Sequence, residues 1–113
     1  MIEFSAINKA DEFKKVYEMA KKWHTEFAVV YFLASDDRKF TAIASKKVGK
    51  AVIRNRAKRV LRAAFANMGY DLKSGFYIII AKPSIINFSF DSIKKSLRWS
   101  FRKMDAFKWR IFL

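Results

Sequence analysis

The sequence predicts an α+β fold in a single domain spanning residues 1–113, and three observations carry that prediction. Short apolar runs rich in β-branched and aromatic residues stand at "EFAVVYFLA", "FTAIAS" and "FYIIIA". Three longer stretches repeat apolar residues at helical spacing. The 113 residues suffice for one hydrophobic core and are too few for two ordinary ones. The expected order is helix, two or three strands, helix, strand, helix.

Asn8 and, three residues on, Asp11 resemble a capping box, and "DEFKKVYEMAKKW" then repeats Phe13, Val16, Tyr17, Ala20 and Trp23 on one helical face. "EFAVVYFLA" and "FTAIAS", joined by the turn "SDDRK", are expected to form two adjacent antiparallel strands. After Gly49 a helical period runs from about Ala51 to the stop at Gly69. The unbroken apolar character of "FYIIIA", bracketed by Ser74 and Gly75 before it and Lys82 and Pro83 after it, predicts a buried strand. The last element, "FDSIKKSLRWSFRKMDAF", gathers Ile93, Leu97, Phe101 and Met104 on one face, with Ser89 as its cap. Phe27, Phe65, Phe76 and Phe101 are assigned to the core.

Composition narrows the chemistry. Cysteine is absent and there is one histidine, so no thiolate nucleophile and no nitrogen and sulfur cluster for zinc is available. The longest apolar run, Phe27 to Ala34, is far short of the roughly 20 residues that cross a bilayer. "MIEFSAINKADEF" lacks the pattern of a secretion signal, so a cytoplasmic protein without a membrane role is expected. Against 10 acidic side chains stand 24 basic ones, a formal net charge of +14. All ten carboxylates lie outside Arg38 to Tyr70, whereas ten of the basic residues lie inside it. Charge concentrated in this way points to a polyanionic partner.

The centre of that block is "KKVGKAVIRNRAKRVLRAAF", Lys46 to Phe65. On a helix, Ile53, Ala57, Val60, Leu61, Ala64 and Met68 gather on one side and Asn55, Lys58, Arg59 and Arg62 on the other, with Arg54 and Arg56 flanking the basic stripe. A solvated surface helix alternates charge signs so that neighbours at spacing four attract; here such neighbours repel. Arginine outnumbers lysine four to one between Arg54 and Arg62, and its planar fork of donors suits phosphate oxygens. A lipid surface fits less well, because the helix's apolar side is needed for the core.

The segment "SKKVGKAVIRNRAKRVLR" resembles the signature of the bacterial ribonuclease P protein subunit family, in which an "RNR" core begins a basic helix. "DEFKKVY", "FYIIIA" followed by "KPS", and "SFDSIKKSL" stand in the family's order, so the resemblance covers roughly residues 9–104. It implies a fold like domain 2 of ribosomal protein S5, with a left-handed βαβ crossover, an exception to the usual right-handed rule. It also implies that the protein binds a catalytic RNA and assists removal of the 5′ leader of precursor tRNA. In that family the RNA performs the phosphodiester hydrolysis with Mg2+, which the RNA and substrate hold; the protein alone is inactive and contributes no catalytic residue. Carried across position by position, the RNA-facing set is Lys46, Lys47, Arg54, Asn55, Arg56, Lys58, Arg59 and Arg62, and Lys50, within the same carboxylate-free stretch, is expected to join it. The family's leader cleft, between the first helix and the sheet, maps to Phe13, Tyr17 and Tyr31.

Flat rings one helical turn apart, as Phe13 and Tyr17 would be, also suit unpaired bases on physical grounds, although aromatics at that spacing equally suit a core. His24 lacks a partner nucleophile and is expected at the surface near the end of the first helix. The neighbouring Asp36 and Asp37 are expected to serve a turn rather than a metal. Two segments depart from the family: "MIEFSAIN" carries no lysine or arginine, and "FKWRIFL" is aromatic and apolar, leaving Trp109, Ile111 and Phe112 either docked on the body or in an interface. A protein-only nuclease and a generic RNA-binding module of ribosomal type are the competing readings; the first needs convergent carboxylates.

Overall fold

The computed structural model describes residues 4–108. Ten elements follow one another: β1 (Ser5–Ala6), α1 (Ala10–Met19), β2 (Lys21–His24), β3 (Ala28–Ala34), β4 (Arg38–Ile43), α2 (Ala51–Met68), a 3₁₀ turn (Gly69–Asp71), β5 (Gly75–Ala81), a second 3₁₀ turn (Pro83–Asn87) and α3 (Phe90–Lys103). The five strands form one sheet in the order β1-β4-β5-β3-β2. β5 pairs parallel with β4 and antiparallel with β3, so α2 is the crossover of a βαβ unit joining neighbouring parallel strands. α2 and α3 cover one face of the sheet, and α1 covers part of the other.

This arrangement corrects the expected adjacency of "EFAVVYFLA" and "FTAIAS". β3 and β4 run antiparallel, but β5 lies between them. The reason lies in burial: Phe76 to Ile79 are buried on both faces, and only a central strand has both faces covered. Tyr77 and Ile79 point into the α2/α3 core, while Phe76 and Ile78 point toward α1. Phe27, Phe65, Phe76 and Phe101 are buried as expected. So are Ile93, Leu97 and Phe101 of the last helix and Met104 at its C-cap, and the Ser89 cap at its start accepts a hydrogen bond from the Ser92 amide at 3.1 Å.

The first helix differs from its sequence reading at both ends. Its N-cap is Lys9 and makes no side-chain capping bond, so Asn8 and Asp11 form no capping box; Asp11 and Glu12 instead place negative charge on the first turn, where the helix dipole favours it. The helix ends at Met19, and Trp23 and His24 lie on β2. There the ladder bonds of Lys21–His24 to β3 outweigh a helical periodicity that the residues could also have satisfied. β1, too short to be legible in the sequence, pairs parallel with β4 and brings Phe4 edge-on to Phe65, with ring centroids 5.0 Å apart. Asp36 and Asp37 sit in the exposed bend between β3 and β4. Of the aromatic C-terminal segment, Phe107 is buried and bridges to Leu72, whereas Trp109, Ile111 and Phe112 lie outside the described residues.

Candidate nucleic-acid interface

α2 has the two faces that its sequence predicts. Ala57, Leu61, Ala64, Phe65 and Met68 are buried against the sheet and α3, and Val60 packs at the margin. Asn55, Arg56, Arg59 and Arg62 are exposed, and Lys58 is partly so. Ile53 is a correction: it stays 38% exposed, because the first turn of α2 projects past the edge of the core and its apolar side meets the preceding turn instead. Gly49 makes that contact feasible. A Cβ there would lie 3.0 Å from the Ile53 side chain, and its φ of +151° is one that other residues rarely adopt.

Lys46 and Lys47 are exposed in the turn before α2, and Lys50 is its N-cap. No acidic residue occupies the first turn of α2. Cations therefore crowd the end of the helix whose own dipole is already positive, an arrangement unfavourable in isolation and favourable once an anion arrives. Arg54 is half-buried and donates to the Gly49 carbonyl at 3.0 Å, so it braces the turn with part of its donor set. The ion pairs among the described residues, Lys39 with Glu12, Lys73 with Asp105 and Lys94 with Asp91, involve none of these cations.

On the opposite face of the sheet the three aromatic candidates come together. The Phe13 and Tyr17 rings stack with centroids 6.2 Å apart, and Tyr17 meets Tyr31 edge-on at 5.2 Å. Phe13 and Tyr31 are half-buried against the small core of Ile7, Val16, Phe76 and Ile78, while Tyr17 is 43% exposed. Desolvation, and secondarily the neighbouring Tyr31, hold the Tyr17 hydroxyl protonated beyond its ordinary range, so it presents a neutral donor. Because α1 has only 10 residues, it leaves Val29, Thr41, Ile43 and Ile80 half-exposed on this face.

Lys22 belongs to the same surface and was not legible in the sequence. It pairs with Tyr31 across the strands, and its ammonium lies 5.7 Å from the centre of the Tyr31 ring. Read as helical, it had no reason to lie beside Tyr31; the β-pairing of Lys21–His24 puts it there. His24 is exposed on the edge strand, two residue pairs further along, opposite Val29. Among the described residues no group of three or more His, Cys, Asp or Glu side chains gathers where it could hold a metal ion. Nor is any helix among them long and apolar enough to cross a membrane. The chemistry available on these two faces is attraction of phosphates and stacking of bases.

A cationic helix on one side of the sheet and an aromatic, lysine-edged platform on the other define an α+β RNA-binding protein. The family model for ribonuclease P matches residues 1–105. A ribonuclease P protein component from Nitratiruptor sp. is 37% identical over 98 residues, covering 87% of this chain and 90% of that protein. Its counterpart from Bacillus pumilus is 35% identical over 106 residues, covering 90% and 89%. The RNase P protein from Staphylococcus aureus superposes with a TM-score of 0.79 at 25% identity, covering 99% of each chain. The one from Thermotoga maritima, at 21% identity and a TM-score of 0.75, shares the fold. The chain belongs to the ribonuclease P protein family. It is the protein component of that ribonucleoprotein, an accessory subunit in tRNA processing.

Proposed function

We propose that the two surfaces divide the work of the assembled enzyme. The cationic one, Lys46, Lys47, Lys50, Arg54, Asn55, Arg56, Lys58, Arg59 and Arg62, docks on the catalytic RNA subunit. The aromatic one, Phe13, Tyr17 and Tyr31 with Lys22 beside them, receives the single-stranded 5′ leader of precursor tRNA. The whole chain acts as one RNA-binding domain in the cytoplasm. The catalytic RNA cleaves the phosphodiester bond, and Mg2+ is held by that RNA and the substrate.

One observation supports this reading above the others: the phosphate-seeking and base-stacking surfaces lie on opposite faces of one sheet. A protein so built can hold one RNA with each face. Folded RNA presents mainly backbone, which suits arginines; an unpaired leader exposes the faces of its bases, which suits rings. Dry stacking alone would be weak in water, and Lys22 adds a charge for the leader's own phosphates.

The test is leader dependence. The protein assembled with its catalytic RNA should bind precursor more tightly than mature tRNA, and Tyr17→Ala should reduce that preference about fivefold or more, the value of one stacked base. Equal affinity of the unmodified complex for precursor and mature tRNA would refute the cleft assignment.

A further inference from the structure

A third surface lies apart from both of these. An open pocket of about 630 Å³ separates α3 from β2 and from the loop that follows it, and its walls include Trp23, Phe27, Phe88, Lys95 and Trp99. That volume falls in the range of roughly 300–1,000 Å³ typical of pockets for small organic groups. Ser92, Lys95, Ser96 and Trp99 form one stripe of α3, next to the buried stripe of Ile93 and Leu97.

The pocket is built in advance of any ligand. Thr25 Oγ1 accepts from the amides of Phe27 and Ala28 at 3.2 and 2.9 Å. Lys82 Nζ donates to the Thr25 carbonyl and Ser84 Oγ to the Glu26 carbonyl, each at 2.6 Å. Lys21 Nζ reaches the Met104 carbonyl at 3.0 Å and ties β2 to the end of α3. Across this fixed mouth Trp99 is 49% exposed, a large aromatic surface left in water.

Two features say what would cover it. The first is charge: Lys95 lines the pocket, the Lys103 ammonium stands 4.5 Å from the centre of the Trp99 ring, and Glu26 is the acidic residue of the lining. Rings interleaved with cations are a platform for a polyanion with π-faces. The second is continuity with the leader surface. β2 is the outermost strand of the sheet, and its residues alternate between the two faces. Lys22 sits opposite Tyr31 on the leader face, while Trp23 sits opposite Val30 and packs on the α2/α3 core. The thickness of a single edge strand separates the two surfaces.

We propose that a nucleotide of the precursor's leader, after the stretch held by Phe13, Tyr17 and Tyr31, passes over β2 and stacks in the pocket between Trp23 and Trp99. This rests on the leader reading above and extends it to a second base-binding subsite. Lys22 and Lys95 then flank the strand on either side of the edge and neutralise its phosphates.

The experiment uses the protein assembled with its catalytic RNA and two precursors. One carries a leader long enough to cross the sheet edge, and the other a leader trimmed to the part at Tyr17. Trp99→Ala should lower the ratio of affinities for the long and trimmed leaders about fivefold or more, the loss of one stacked base, and Trp99→Phe should restore most of it. Thermal melts of both variants separate lost stacking from lost folding. If Trp99→Ala leaves the ratio unchanged while Tyr17→Ala weakens both precursors, the pocket proposal is overturned and the cleft stands. If neither substitution alters precursor binding, both fall.

Discussion

Replacing Arg62 and Leu61, adjacent residues on opposite sides of α2, should separate binding from folding. Leu61 is fully buried among the side chains under α2. Truncating it to alanine should cost about 2–5 kcal/mol. At about 4 °C per kcal/mol for a domain of this size, the melting temperature should fall by about 8–20 °C. Arg62 is exposed, with Arg59 three and Lys58 four residues before it on the helix. Each like-charge pair at those spacings costs about 0.2–0.5 kcal/mol. Arg62→Ala should therefore raise the melting temperature of the free protein, by about 2–4 °C. Its loss should appear in RNA binding. The slope of log affinity against log salt should become shallower by about 0.7–0.9 for the one phosphate contact removed. Circular-dichroism melts of the free protein and titrations of the catalytic RNA over a series of salt concentrations measure the two effects. The reasoning fails if Arg62→Ala destabilises the protein as much as Leu61→Ala, or if the salt slope does not change.

Gly75→Ala should be severe, because the new Cβ would lie 2.4 Å from the Leu33 carbonyl oxygen. Gly75 pairs with both Ala34 and Arg38, so any shift opens two ladders at once; a loss of about 1–3 kcal/mol or more is expected from the midpoint of urea unfolding. Glu12→Gln tests the ion pair with Lys39 through its pH dependence. The Lys39 hydrogen bond lowers the Glu12 pKa below its ordinary 4.5, and the Glu12 hydrogen bond raises the Lys39 pKa above its ordinary 10.5. The pair's contribution is thus complete between those ordinary values, lost on the acid side as Glu12 protonates and on the alkaline side as Lys39 deprotonates. Melting temperatures of wild type and variant should differ at neutral pH and converge once the pH is below the depressed Glu12 pKa.

The parts of this structure legible in the sequence are those with short-range physical causes. α2 begins and ends where Gly49 and Gly69 bound an uninterrupted helical period, and the Ser89 cap of α3 depends only on the residue three positions on. What periodicity misses is set at long range. "KKWH" continues the apolar spacing of the first helix, yet its backbone bonds to β3 and makes it a strand. Ile53 has the right phase to be buried, but phase does not say where the core ends. Charge segregation marks the cationic surface directly, since carboxylates are missing from that whole stretch. The aromatic surface was visible only in part, because the place of Lys22 beside Tyr31 exists solely through the pairing of β2 with β3.

The position of β5 governs the order of events during synthesis. It is the innermost strand and the last of the five to leave the ribosome, and its partners are as distant as Ala28 from Ala81. Until it emerges, β3 and β4 each lack a neighbour along the side they will share with it. Closing loops of that size makes maturation slow compared with a helical bundle of equal length. The nascent chain meanwhile offers its fully charged arginine segment ahead of a finished sheet. Productive capture by a nucleic acid must wait for the final third of translation.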